Sequence, residues 1–400
     1  MSKKEKLILF VLAAAQFTHI VDFMIMMPLG PQLMRIFRIN PQQFSLLVAS
    51  YTFSAGIFGF LGAFVIDRFD RKTAFVFTYI GFTLGTLACG LAPNYFFLLI
   101  ARILTGAFGG ILGALVLSII SDIISAERRA SAMGIVMTAF SVASVLGVPL
   151  GLFIANQFSW NAPFLFLAAF TTLITVSVFK VIPSLKGHLQ SKQNRPKPME
   201  VITNVTHDKN ALRALLMMIL LIFGQFSIIP FLSPYMVYNV GFRESQLPFI
   251  YLCGGIGTIF TLPLIGKLAD KHGRLRIFGY AVLLSAAPVL IITNMGHIPV
   301  YAALIVTTFF MIFIGGRMVP ATTMVTSTVH PQNRGSFMSI NSSVQQLSSS
   351  IASFASGMVI VKNAGGSLSH YNWIGFFAVA ASFLSLYVAQ KLKNSEGKAH

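Results

Sequence analysis

Twelve apolar runs, each long enough to cross a lipid bilayer, limit this 400-residue chain more than any other feature. They fall at about 7–30, 45–66, 73–92, 95–119, 131–156, 160–182, 211–237, 246–268, 277–294, 299–325, 336–361 and 372–391. A crossing helix needs roughly 20 such residues. Backbone in lipid finds no water to bond, so only helices or closed barrels span, and these runs are too long and too continuously apolar for barrel strands. With 55% hydrophobic and 10% charged residues, the chain also lacks the charges to coat a soluble globule. The expected fold class is an all-α membrane protein with twelve transmembrane helices.

The formal charge of +18 would suit a nucleic-acid binder, but its distribution argues otherwise. If both termini are cytoplasmic, 23 of the 29 Lys and Arg lie on inside segments and only Arg35, Arg38, Arg243 and Lys362 lie outside. Positive-inside sorting therefore accounts for the bias, and no nucleic-acid partner is expected. A multi-pass membrane protein with both termini cytoplasmic is expected, its first helix retained and not cleaved as a signal. Cys89 and Cys253 sit in different spans without ligand-like spacing and read as small buried hydrophobes.

The widest connection is polar, contains Pro183, Pro196 and Pro198, and carries Lys186, Lys192, Arg195 and Lys197. It divides the chain into a six-helix bundle over 1–182, a basic cytoplasmic linker over 183–210 that lies on anionic headgroups or is simply solvated, and a second six-helix bundle over 211–400. The halves echo one another. Asp67-Arg68-Phe69-Asp70-Arg71-Lys72 matches Asp270-Lys271-His272-Gly273-Arg274-Leu275 at a shift of 203, and Glu127-Arg128-Arg129 matches Gln332-Asn333-Arg334 at a shift of 205. Duplicated halves place a binding site near the membrane midplane and permit alternating access.

At these residues the chain resembles the major facilitator superfamily, within it the twelve-helix drug:proton antiporter branch that includes sugar efflux permeases. Gly266-Lys267-Leu268-Ala269-Asp270-Lys271-His272-Gly273-Arg274 is a close copy of that family's loop signature. The first-half copy has Ala63 and Asp70 where the family prefers Gly; Asp can take the left-handed conformation a tight turn needs, less easily than Gly. Arg102 with Gly106, Gly109 and Gly110 resembles the fourth-helix motif, and Gly147-Val148-Pro149-Leu150-Gly151 the exporters' Gly-Pro motif, with Val148 intruding. The resemblance implies two pseudo-symmetric six-helix bundles in the major facilitator fold, a proton-coupled exporter acting by alternating access, and a monomer with no cofactor.

The same residues have direct physical readings. A short loop carrying Asp67 beside Arg68, Arg71 and Lys72 can latch a closed cytoplasmic side, with Arg129 and Arg334 joining the network; the resemblance extends that gate to Gly266, Asp270, Gly273 and Arg274. Of eleven carboxylates only Asp22 lies within a span, and His19 is one turn earlier. Three readings stand side by side: His19 and Asp22 relay a proton, with Arg102 linked to that movement by the resemblance; Asp22 is fixed in an ion pair with an Arg such as Arg102; or His19 and Asp22 ligate a transported metal, for which the spans offer few further ligands. Arg317, the other intramembrane cation, is expected to hold an anionic or hydroxylated substrate, to pair with Asp22 or to join helices.

Asn341, Gln345 and Ser349 recur every four residues as a polar stripe that suits a cavity wall. Gln16, Tyr51, Gln225 and Tyr235 add hydrogen-bonding groups around a Phe- and Met-rich surround. Pro149 between Gly147 and Gly151 is expected to bend the fifth span. No nucleophile with its base and no metal cluster gathers anywhere, so the expected partners are the bilayer, a small-molecule substrate and protons, and the expected activity is transport and not catalysis. A facilitator or importer of a small metabolite or sugar remains the alternative.

Overall fold

The computed structural model describes residues 2–66, 68–186, 203, 205–330 and 334–393. The described chain is almost entirely helical: α1 Lys3–Ile25, α2 Gly30–Ile36, α3 Pro41–Ile66, α4 Arg71–Gly90, α5 Tyr95–Ile123, α6 Ala126–Val142, α7 Val148–Gln157, α8 Ala162–Val181, α9 Lys209–Phe226, α10 Ile229–Tyr235, α11 Leu247–His272, α12 Arg274–Thr293, α13 Val300–Ser327, α14 Arg334–Val359 and α15 Tyr371–Ala389. An antiparallel pair, β1 Val361–Lys362 and β2 Leu368–Ser369, joins α14 to α15. A π-helical turn, Ala143–Gly147, fuses α6 to α7, and another, Met236–Val240, extends α10. Counting the fused pieces as one, twelve segments have the length of a membrane span.

Eleven of them are also apolar enough to cross a membrane; α14 falls short because of its Ser, Asn and Gln. Large apolar side chains such as Phe10, Phe77 and Phe260 lie open on the surface, Phe260 at 73% exposure. A face of that kind suits lipid, and the chain is a multi-pass membrane protein. The boundaries differ from the hydropathy reading where local chemistry intervenes. The first span ends at Ile25 and not near residue 30, because Pro28 cannot continue a helix, and α2 starts afresh with Pro31 in its first turn. The seventh is interrupted around Ser227, just ahead of Pro230.

The chain divides into two compact units, residues 1–26 with 50–198, and residues 27–49 with 199–400. In the first unit one apolar core joins α1, α4, α5, α6 and α8 through residues such as Leu12, Phe75, Phe82, Leu115 and Val178. Its helices approach closely where glycine removes the side chain. A Cβ on Gly110 would lie 2.2 Å from the Ala55 carbonyl oxygen, and one on Gly106 would lie 2.3 Å from that of Tyr51, so α5 can press on α3 only with glycine at both positions.

In the second unit the segment 27–49 is held by named bonds. Arg35 forks onto Glu244 through both terminal nitrogens, the Tyr238 hydroxyl donates to the Pro31 carbonyl at 3.2 Å, and the Ser350 hydroxyl donates to the Ala49 carbonyl at 2.8 Å. Asn239 both donates to and accepts from the Leu368 backbone, which pins the β-hairpin to the end of the seventh span.

Candidate functional site

In the first unit, α1 brings Asp22 against α4 and α5. Asp22 and Arg102 are both 0% exposed. Arg102 donates one terminal nitrogen to the Asp22 carboxylate at 2.8 Å and to the Asp22 carbonyl at 3.3 Å, while the Thr86 hydroxyl donates to the other carboxylate oxygen at 3.1 Å. The guanidinium also lies 4.3 Å over the ring of Tyr51, a cation–π contact that adds about 2 kcal/mol when desolvated. Burying two charges costs several kcal/mol each, and pairing repays that cost only with good geometry and further hydrogen bonds. Here Thr86 and the Tyr51 ring supply the additions.

The site is incompletely satisfied. Arg102 keeps its Nε and second terminal nitrogen without an acceptor, and the Tyr51 hydroxyl, both His19 ring nitrogens and Gln16 Oε1 are also buried without a hydrogen-bond partner among the described residues. His19 does not bond Asp22: its ring packs edge-on to Phe82 at 5.8 Å and tilted against Tyr51 at 6.4 Å. The three-residue spacing puts the two on one side of α1, yet Asp22 turns to Arg102 and Thr86. Gly109 makes room for this cluster, since a Cβ there would stand 2.6 Å from the Tyr51 hydroxyl and 3.0 Å from His19 Nε2. No group of three or more His, Cys, Asp or Glu is placed to hold a metal ion among the described residues.

Near the start of α4 the first unit carries a charged cluster. Asp67 lies outside the described residues. Asp70 caps α4, accepting from Lys72 N, Leu185 N and the Ser184 hydroxyl at 3.1, 2.7 and 2.7 Å. Burial pushes its carboxyl up, but these three donors hold it below the usual carboxylate value. Arg71 pairs with Asp122 at 3.3 Å, the Lys72 ammonium donates to the Phe179 carbonyl at 2.8 Å, and Arg129 donates to the Ser121 carbonyl at 2.8 Å. Arg68 is exposed. The backbone of Asp70, at φ −56°, is not left-handed, which corrects the idea that Asp stands in for a turn glycine; it works here as a helix cap.

The equivalent loop of the second unit is built differently. Gly273 adopts φ +94°, a conformation that side-chain-bearing residues rarely take. Arg274 donates to the Ser327 hydroxyl at 3.4 Å, Asp270 is exposed, and Arg334 opens α14 with Nε unpartnered. Gly266 is not spatially required, because a Cβ there would make an ordinary 3.6 Å contact with Val319.

Among the polar residues of the second unit, Gln225 Oε1, Asn341 Oδ1 and Ser349 Oγ are buried without hydrogen-bond partners among the described residues, and Gln345 is half-buried. Tyr235 is committed elsewhere: its hydroxyl donates to the Met295 carbonyl at 2.9 Å and its ring packs on Tyr371 at 4.5 Å. Arg317 is 1% exposed and donates to the Ser382 hydroxyl at 2.6 Å. In the fifth span Gly147 closes the π-helical turn ahead of Pro149. A Cβ on Gly147 would meet Val21 at 2.3 Å and one on Gly151 would meet Ile25 at 2.8 Å, so these glycines also seat α1.

Sequence reasoning missed Thr86 and Ser382. Each is one hydroxyl residue among many in an apolar helix, and nothing in its spacing distinguishes it.

A family model described as Major Facilitator Superfamily matches residues 12–234 and again 214–399. Multidrug resistance protein 2 of Bacillus subtilis (strain 168) is 24% identical over 404 aligned residues, covering 99% of this chain and 98% of its own. The MFS-type transporter YceJ of the same organism is 21% identical over 378 residues, covering 94% and 93%. Among solved structures, a D-xylose-proton symporter has a TM-score of 0.75 at 17% identity over 98% of this chain and 99% of its own. A bacterial homologue of the human lysosomal transporter Spinster, in an inward-facing and unoccupied conformation, has a TM-score of 0.74 at 15% identity over 97% and 95%. At such identities these structures speak for the fold alone.

Proposed function

The chain belongs to the Major Facilitator Superfamily and is a membrane transporter of its twelve-helix fold, and from that premise we propose that it exports a small organic or drug-like molecule in exchange for protons by alternating access. It acts in this reading as a monomer in the bacterial inner membrane, with both termini and the basic linker cytoplasmic and with transport rather than catalysis as its activity. The charged loop around Asp70, Arg71 and Lys72 in the first unit and the loop around Asp270, Gly273 and Arg274 in the second are the proposed cytoplasmic gating elements.

The observation that carries the reading is the Asp22 site: a carboxylate in the last turn of α1, fully buried, held by one arginine, with a histidine one turn away that has no hydrogen-bond partner among the described residues. Protonating Asp22 would cancel its charge and release Arg102, whose freed guanidinium must then find another partner or water. His19 is the group that passes the proton, since imidazole alternates between donor and acceptor in the physiological range. Substrate and proton need not touch; each favours a different conformation, and that linkage is enough for exchange. The polar groups proposed to meet substrate are Gln16 and Tyr51 in the first unit and Gln225, Asn341, Gln345 and Ser349 in the second. Export, as against uptake, is favoured by the multidrug-resistance relative and by the Gly147–Pro149–Gly151 bend.

Reconstituted protein tests this. Substrate efflux from proteoliposomes should accelerate with a pH gradient, and Asp22→Asn should abolish that acceleration. Full proton-driven transport by Asp22→Asn would sink the proposal. The competing reading is that Asp22 and Arg102 are a fixed structural tie, favoured by the 2.8 Å contact and full burial. It predicts that replacing both residues together restores coupling along with stability.

A further inference from the structure

Arg317 lies well inside α13 and is 1% exposed. Its single polar partner among the described residues is Ser382, whose hydroxyl accepts one guanidinium N–H at 2.6 Å. That hydroxyl's own proton goes to the Ala378 carbonyl at 2.7 Å, so its lone pairs are turned to Arg317 and it can serve only as a neutral acceptor. Gly224 lets α9 close in beside this point, since a Cβ there would lie 2.9 Å from the Ala378 oxygen and 3.2 Å from Ser382 Oγ. The fork has five N–H groups, and Nε is buried without an acceptor.

Among the described residues of this unit, no carboxylate pairs with Arg317. Among the described carboxylates of this unit, Asp208 caps α9, Glu244 is bound to Arg35, and Asp270 is exposed near the end of α11. A buried cation without an anion is costly enough that it persists in a membrane domain only where something compensates it. The first unit shows how this protein compensates such a cation when it uses its own residues, with Asp22, itself bonded by Thr86, set against Arg102. In the second unit the anion has to come from outside.

We propose that Arg317 is an anion-binding residue and that the transported molecule carries a carboxylate or a comparable anionic group that docks on its guanidinium, with Ser382 orienting the fork. A planar guanidinium matches a carboxylate bidentately, so the remaining donors suit one such group. This inference rests on the transporter reading and names its substrate class.

Purified full-length protein is screened by thermal shift and by equilibrium binding against a panel of aromatic and aliphatic carboxylic acids. Each acid is matched with its methyl ester, and inorganic phosphate and chloride are run separately. At least one acid is expected to bind about 10- to 100-fold tighter than its ester, the range set by one charge-assisted hydrogen-bonded contact. Arg317→Gln should remove that preference while ester binding survives, and Arg317→Lys should retain part of it. Surviving ester binding also shows that the variant is folded. Acid and ester binding alike across the panel, or an acid preference that persists in Arg317→Gln, overturns the proposal. Arg317-dependent binding of phosphate or chloride alone overturns the assignment of the anion to the organic substrate. These measurements need no proton gradient, so failure of pH-driven flux would defeat the antiport reading without touching this one.

Discussion

Each unit has an arginine fully buried within a span, Arg102 in α5 and Arg317 in α13, and the two are treated in opposite ways. Arg102 is given a carboxylate, that carboxylate's carbonyl and an aromatic face, and the carboxylate has a hydroxyl donor of its own. Arg317 is given one serine oxygen. Both have stems shielded by close-packed helices, and both retain unpartnered nitrogens. The difference lies in the counter-charge: the first site is electrically closed on itself, and the second is a cation in search of an anion. On the two proposals above, one half carries an internal charge that switches and the other a fixed charge that recognises.

The contrast is broken most forcefully by removing one partner of the closed site. Arg102→Met leaves Asp22 buried and unpaired, and thermal unfolding in detergent should show a loss of about 3–5 kcal/mol, the usual cost of orphaning a buried charge. Combining Arg102→Met with Asp22→Leu should recover much of that loss, because neither charge is then left behind. If the double variant is no better than the single, the pair is not the self-contained unit its geometry describes.

Arg317→Met should behave in the opposite sense. With no carboxylate to strand, deleting this cation forfeits one hydrogen bond to Ser382 and relieves an unpaired charge, so the ligand-free protein should be unchanged or stabilised by about 1 kcal/mol or more. A destabilisation as large as that of Arg102→Met would mean that Arg317 has an internal counter-charge, and the comparison would collapse.

How much of this could be read from the chain depends on what sets each feature. The spans are legible because lipid imposes a length and polarity on every crossing; Pro28 ends the first span early, Pro230 interrupts the seventh, and several other ends shift by up to five residues. Asp22 and Arg102 stand out because a charge is rare inside a span, and an Asp22–Arg102 tie was one of the three readings the sequence left open. Which partner Asp22 actually faces was not legible: His19 is nearer along the helix, but rotation about the α1 axis and the close approach allowed by Gly106, Gly109 and Gly110 bring Arg102 to it instead. Thr86 and Ser382 acquire their meaning only from tertiary distance. Tyr235 looked like a cavity residue, and its hydroxyl is already used by Met295.

The terminal loops repeat the lesson on a smaller scale, since aligned positions 70 and 273 solve different problems. Gly273→Ala forces a side chain into φ +94°, ψ 132° and should cost about 1–3 kcal/mol, although space around it is open and no clash contributes. Asp70→Ala removes a cap and its donors' acceptor, a loss of about 1 kcal/mol. Exchanging the residues should therefore help neither loop: Asp at 273 is strained, and Gly at 70 leaves Ser184 and Leu185 without the carboxylate they bind. Thermal unfolding of the two exchanged variants that matched wild type would show that the loops are interchangeable after all.

The smallest expected effect is a pH dependence confined to the Asp70 loop. Its carboxyl is lowered in the folded protein from the ordinary 3.8, so the ionised form is the one that folding favours. Its contribution is therefore fully present above pH 3.8 and is lost as the pH falls through the lower folded value, where the carboxylate takes a proton and releases part of its hold on Ser184, Leu185 and Lys72. Asp70→Asn can still accept at the Oδ1 position used by Leu185 and Lys72 but cannot titrate. The melting-temperature difference between wild type and Asp70→Asn should be constant above about pH 5 and shrink on acidification below the ordinary aspartate range. Gly273 has no ionisable group, so Gly273→Ala should show a pH-independent difference over the same interval. Parallel curves for both variants would mean that Asp70 acts in this loop through its shape alone and not through its charge.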